Sequence, residues 1–249
     1  MLEGLARVIK KRAKTFVKAR EYAIGALVDM TYRSSVKQKT SVYNVPSLLA
    51  AVVSAVGREG EDHKMERKDA LNLIVNVASS NDTVKKGLFE LEGLMENVVN
   101  AMEKEGDEHK VERENAANMI YNISCCTEAE VMKGLFEYDD VVKGLVRSIW
   151  RDGDNYKVER RCAVGALDNI AENKEVKACL FNFPGLMTSI DAIFGNASLN
   201  GTDMKDWAKS LKEMIKHRAP VETAPPPPVT TTNTSSRGIN ALESRVEIR

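Results

Sequence analysis

Apolar positions recur along this chain with helical spacing, and no stretch shows the strict alternation that marks a half-buried strand. In residues 66–78, Ala70, Ile74, Val77 and Ala78 fall at i, i+4, i+7 and i+8, one apolar stripe on a helix. The segment returns as 112–124, with Ala116, Ile120, Ile123 and Ser124, and as 159–171, with Ala163, Leu167, Ile170 and Ala171. A more distant copy, 20–31, lies upstream. The arginines heading these copies, Arg20, Arg67, Arg113 and Arg160, stand 47, 46 and 47 residues apart. A fixed period of this size marks stacked repeats, since one such unit cannot bury its own apolar face and neighbours must share a continuous core.

A second block keeps the same phase. Residues 84–90 are matched by 131–137 and 176–181, each with a Leu-Phe pair (Leu88-Phe89, Leu135-Phe136, Leu180-Phe181). Apolar stretches follow at 94–99, 141–149 and 186–193. In the first copy Pro46 precedes the stretch 48–56, and Pro184 holds the same place in the last. Proline suits the first turn of a helix, where its missing N–H costs nothing. Each repeat thus reads as a short helix, a sharp corner, a middle helix, a polar loop and a longer third helix.

This three-helix rhythm, with the Ala-x3-Leu/Ile-x-Asn-Ile/Val-Ala/Ser ending of the third helix, resembles the armadillo repeat family over about residues 1–216. The resemblance implies an all-α, right-handed α-solenoid (a superhelix) of about four three-helix repeats. HEAT repeats, with two helices, are the neighbouring alternative. There are departures from the pattern. The loops before the third helices are extended (57–64, 103–110, 150–157), and the corner glycine is kept at Gly93 and Gly185 but replaced by Ser47 and Asp140.

Residues 2–9 look like 91–98, so the sequence opens on a middle helix. The apolar side of Leu2, Leu5, Val8 and Ile9 then lacks an outer neighbour, and end-to-end self-association or a further upstream segment is expected. Residues 203–217, with Trp207, Leu211, Met214 and Ile215 on one side, read as a capping helix. Residues 217–249, with Pro225 to Pro228 and a Thr/Ser run, read as a disordered tail.

Composition narrows the classes. Lys plus Arg and Asp plus Glu number 36 each, which argues against a dedicated nucleic-acid binder. No apolar run approaches the length of a membrane span. Charge is uneven: residues 1–40 hold ten basic against three acidic side chains, and 57–115 hold nine against fifteen. The acidic middle is read as a solvated surface or as a receiver for a basic partner. The run Lys10-Lys11-Arg12-Ala13-Lys14 reads as a nuclear signal or as basic residues at a helix C-terminus. A cytoplasmic location is expected, with a nuclear one also open.

Catalytic chemistry has little to stand on. His63 and His109 lie one repeat apart, too far to share a metal, and His217 begins the tail. Cys125 and Cys126 are adjacent while Cys162 and Cys179 stand alone, so no zinc-type Cys-x-x-Cys pair exists. The acidic loops lack the ligand spacing of a calcium site. No phosphate loop, nucleophile elbow or His-Glu-x-x-His motif is present. No enzyme activity, cofactor or metal is expected.

One polar face stands out. Asn76, Asn122 and Asn169 share a position on the third helices, with Asp29 in the first copy. One turn earlier stand Gly25, Asn72, Asn118 and Gly165, and a turn before those Glu21, Lys68, Glu114 and Arg161. The armadillo resemblance implies that this face lines a concave groove in which asparagines hydrogen-bond the backbone of an extended peptide. An amide carries both the donors and the acceptor that task requires. The same asparagines also suit bracing of a neighbouring helix end. Nuclear-import adaptors resemble this architecture but place tryptophan where Gly25, Asn72, Asn118 and Gly165 stand, which disfavours that function. The expected function is a protein-interaction scaffold with a protein or peptide partner. The alternative is a structural subunit of a larger assembly that uses its outer surface and acidic loops.

Overall fold

The computed structural model describes residues 1–151, 153–196 and 203–216, apart from the side chains of Asp139 and Asp203. The tail expected over 217–249, with His217, lies outside them. The described residues form fourteen α-helices and no strand. In chain order these are α1 (Leu2–Ile9), α2 (Val17–Thr31), α3 (Val36–Tyr43), α4 (Pro46–Val56), α5 (Lys64–Ala78), α6 (Asp82–Phe89) and α7 (Leu94–Glu103). Then follow α8 (Lys110–Ser124), α9 (Ala129–Glu137), α10 (Asp139–Trp150), α11 (Lys157–Ala171), α12 (Lys174–Phe181), α13 (Leu186–Gly195) and α14 (Asp203–Lys216).

The period becomes two stacked layers. The third helices α2, α5, α8 and α11 each run 15 residues and pack side by side, and α14 closes their row against α11. The middle helices α1, α4, α7, α10 and α13 form a second row behind them. The stripe foreseen from the sequence is the seam between the rows: Ala70, Ile74, Val77, Ala116, Ile120, Ile123, Ala163, Leu167 and Ile170 are buried. α1 sits as a middle helix against α2 and α4, with Ala6 and Ile9 buried and Leu2, Leu5 and Val8 only partly so.

The corners have simple causes. Gly93 and Gly185 precede α7 and α13 at φ of 73° and 79°, a left-handed conformation that a Cβ would oppose. Pro46 starts α4 and Asn81 caps α6, its side chain accepting from the Val84 N–H at 3.0 Å. The short helices lock in file: Tyr43 fills the space beside Gly87, and the Phe89 ring that beside Gly134.

The extended loops are more ordered than solvated loops need be. Each contains a left-handed glycine (Gly60, Gly106, Gly153) followed by one 3-10 turn into the long helix. What holds them is buried. Arg67 donates through Nη1 to the carbonyls of Arg58 and Gly60 at 3.0 and 2.7 Å, and Arg113 to those of Lys104 and Gly106 at 3.0 and 2.6 Å. Arg20 does the same to Lys11 and Ala13 at 2.8 and 3.1 Å, and Arg160 to Arg151.

Candidate functional site

The residues singled out on the third helices do share one surface. Along each long helix the positions advance by three or four residues, so they stay on one side. Lys68, Asn72 and Asn76 on α5 are half-buried, as are Glu114, Asn118 and Asn122 on α8 and Asn169 on α11; Asp29 and Arg161 are exposed. One further row belongs to this face and escaped the sequence reading. Met65, Val111 and Val158 stand one turn ahead of Lys68, Glu114 and Arg161, each about half exposed. Apolar side chains repeated at an exposed position offer contact area to a ligand. Their sequence signal was their fixed place two residues before the Arg67, Arg113 and Arg160 period.

The asparagines already use their amide N–H groups, Asn76 and Asn122 on one partner each and Asn169 on two, the second being Cys125 Sγ at 3.3 Å. Asn76 Nδ2 donates to Thr31 Oγ1 at 3.2 Å, Asn122 Nδ2 to the Val75 carbonyl at 3.2 Å, and Asn169 Nδ2 to Ser124 Oγ at 3.0 Å. Each bond reaches the C-terminal end of the preceding long helix, two of them to hydroxyls and one to a carbonyl that also accepts from the Ser79 N–H. Bracing is therefore real. An amide has two N–H donors and an oxygen acceptor, so one brace leaves capacity for a backbone unit.

Charge on this face is balanced locally. Lys18 pairs with Glu21 at 2.7 Å, Lys68 with Asp69 at 3.6 Å, and Lys110 with Glu114 at 3.5 Å. Burial pushes the carboxyls of Asp69 and Glu114 up, against the pull of their lysines. At the far end the face is occupied. The Tyr121 and Trp207 rings lie 5.8 Å apart, and the Arg161 guanidinium sits 5.4 Å from the Trp207 ring. A Cβ on Gly165 would fall 2.7 Å from the Tyr121 ring and 3.0 Å from that of Trp207, so the glycine makes room for both. A tryptophan thus does stand over this position, supplied by α14 rather than by the long helix itself. At Gly25, by contrast, nothing lies within 4 Å of an added Cβ.

A second repeated cluster sits under the loops. Arg20 Nε donates to Glu66 at 2.8 Å, Arg67 Nε and Nη2 grip both oxygens of Glu112 at 2.9 and 3.2 Å, and Arg113 Nε reaches Glu159 at 3.4 Å. All six side chains are buried. Each glutamate takes a second cation from its own loop: Arg58 on Glu66, Lys104 on Glu112 at 2.5 Å, and Arg151 on Glu159 at 3.0 Å. Burial pushes Glu112 up, but its bonds to Arg67 and Lys104 outweigh that and hold it below the usual carboxylate range. His63 and His109 belong here too, with Nδ1 at 3.1 Å from Glu66 and 3.3 Å from Glu112. Burial, then the charges of Arg20 and Arg58, push the His63 imidazole down. The Glu-Arg dipeptide was visible in the sequence at 66–67, 112–113 and 159–160. In the first copy Ala19 precedes Arg20.

No family model and no curated protein matches this sequence. Among solved structures it is similar to computationally designed armadillo repeat proteins for modular peptide recognition, at a TM-score of 0.70 and 20% identity over 86% of this chain and 81% of that one. It is similar to a designed armadillo repeat protein in complex with the peptide (KR)4, at 0.68 and 20% identity over 86% and 81%. An engineered protein matches at 0.68 and 17% identity over 86% of this chain and 47% of its own. No single helix among the described residues is long and apolar enough to cross a membrane. With this likeness and the all-helical, periodic architecture described above, the fold of this chain is that of the armadillo-repeat solenoid.

Proposed function

We propose that this chain is a non-catalytic scaffold that binds an extended peptide segment along the face of its long helices. The observation that carries the reading is the row Asn76, Asn122 and Asn169, three half-buried amides in register, each held through its Nδ2 by the preceding repeat, with a second N–H left over on Asn76 and Asn122 and an acceptor oxygen on all three. Designed neighbours of the same fold are described as recognising peptides, which supports the reading. Neighbouring long helices lie about 8–10 Å apart, and an extended chain rises about 3.3 Å per residue. Two or three ligand residues therefore pass each rung.

The local pairing of charge on the face favours a segment of mixed polarity over a strongly basic one. Met65, Val111 and Val158 supply apolar contact beside the polar rungs, and Tyr121 with Trp207 bounds the face at Gly165. Backbone hydrogen bonds at about 1 kcal/mol each fall short of the roughly 8 kcal/mol of a micromolar complex, so these side chains must contribute the rest.

The test compares two variants in affinity capture and titration against the recovered partner. Asn76→Ala with Asn122→Ala should weaken binding by about 1–3 kcal/mol, from two lost hydrogen bonds, with helix content unchanged. Neutralising Glu61, Asp62, Asp107 and Glu108 in the loops should leave it intact. If the loop variant loses the partner and the asparagine variant keeps it, the outer-surface reading replaces this one.

A further inference from the structure

Arg160 breaks the pattern under the loops. It is buried, with 3% of its surface exposed, and its Nη1 donates to the Arg151 carbonyl as in the other repeats. Its Nε and Nη2, however, have no hydrogen-bond partner. Those are the two atoms with which Arg67 grips both oxygens of Glu112. Arg113 leaves only Nη2 unpartnered, its Nε being engaged by Glu159.

The reason lies in the capping helix. The buried residues Met204, Ala208, Leu211 and Ile215 of α14 repeat the register of Glu159, Ala163, Ala166 and Ile170 of α11. At the head of that register a methionine, 1% exposed, stands where the preceding helices carry glutamate. The neighbouring Glu159 is already paired with Arg113 and Arg151.

Arg160 lines a cleft of about 380 Å³ together with Ile149, Trp150, Arg151, Ile193 and Asn196, and its Nε and Nη2 are shielded from solvent. A cleft of about 550 Å³ lies at the equivalent place two repeats earlier, with Arg58 and Arg67 corresponding to Arg151 and Arg160. There the arginine is satisfied from within the fold. Here the same cleft holds a desolvated cation whose flat Nε–Nη2 edge matches the two oxygens of a carboxylate.

We infer that the Arg160 cleft is a binding site for a carboxylate on a short apolar stem, a glutamate side chain presented by a polypeptide that docks against the last repeat. The charge and fork geometry select a carboxylate, as they do at Glu112, and Ile149, Trp150 and Ile193 receive the methylenes of the stem. The site is separate from the asparagine row, so either can fail without the other.

The probe is N-acetyl-L-glutamate N-methylamide, titrated into the full chain while the Arg160 Nε–H resonance is followed by NMR. Saturable binding with a downfield shift of that resonance is expected. Arg160→Gln should weaken binding about tenfold or more, through loss of two charge-assisted bonds. Met204→Glu should place a carboxylate in register, raise the melting temperature and exclude the probe. Two sources of such a side chain are separated by a chain with Glu222, Glu243 and Glu247 changed to Gln. Tighter probe binding there means the tail competes for the site, and equal binding means another polypeptide supplies the glutamate. Absence of saturable binding to the unaltered chain, or equal affinity in Arg160→Gln, overturns the inference.

Discussion

Arg67 and Arg160 hold the same position two repeats apart and reach back to the same kind of loop carbonyl. Only Arg67 meets a glutamate from the next long helix. A repeat is therefore defined by what its neighbour presents as much as by its own residues. The arginine alone orders its loop; the arginine with its glutamate joins two repeats. In a solenoid, stability is close to a sum of unit and nearest-neighbour terms, and these pairs belong to the neighbour terms.

Breaking an interior pair should have the largest effect. Glu112→Ala removes the carboxylate that neutralises Arg67 and Lys104 and leaves the buried Arg67 uncompensated, a loss of about 3–5 kcal/mol. Urea unfolding measures it. The surface pair Lys133–Glu175, with Glu175 71% exposed, is the contrast. Glu175→Ala should change stability by about 0.5 kcal/mol or less.

The two ends of the asparagine face sharpen the comparison in another way. Gly165→Ala must displace the Tyr121 and Trp207 rings and should cost about 1–3 kcal/mol. Gly25→Ala meets nothing and replaces a poor helix former in the middle of α2, so it should stabilise by up to about 1 kcal/mol. Thermal denaturation of the two variants gives opposite signs.

A smaller effect is expected at Asp168, on the side of α11 facing α14. Burial pushes its carboxyl up to about 6, with the Ser210 hydrogen bond opposing and Glu172 adding to the shift. One oxygen, Oδ1, has no hydrogen-bond partner. A carboxyl raised in the folded state stabilises most fully below its unfolded value near 4, and the contribution is lost as pH rises through about 6. Asp168→Asn should therefore stabilise the chain by about 1–2 kcal/mol at pH 7 and flatten the stability curve between pH 4 and 6.

Much of this was legible in the sequence because it follows from periodicity. A stripe such as Ala70, Ile74 and Val77 fixes both the helix and its buried side, and the helical repeat then places Asn72 and Asn76 on another face. Gly93 and Gly185 marked their corners because only glycine accepts that backbone without strain. The Arg-Glu pairs were harder. Glu66 and Arg67 are adjacent in the chain but do not pair with each other; each reaches a partner about one period away. Reading the loops at 57–64 and 103–110 as solvated missed the guanidinium beneath them for the same reason. The occupation of the face at Gly165 was hidden because Trp207 comes from α14, which keeps the buried register of the long helices but not their motif.

The most direct measurement is the unfolding free energy of Arg67→Met against that of Arg160→Met, methionine filling similar volume without charge. Arg67→Met should lose about 3–5 kcal/mol, because Glu112 loses the bidentate partner that offsets its burial. Arg160→Met should be neutral or stabilising, because it removes a buried cation whose fork is unpaired. Equal losses in the two variants would contradict the account, since they would mean that the glutamate across the repeat boundary contributes nothing that the loop carbonyls do not.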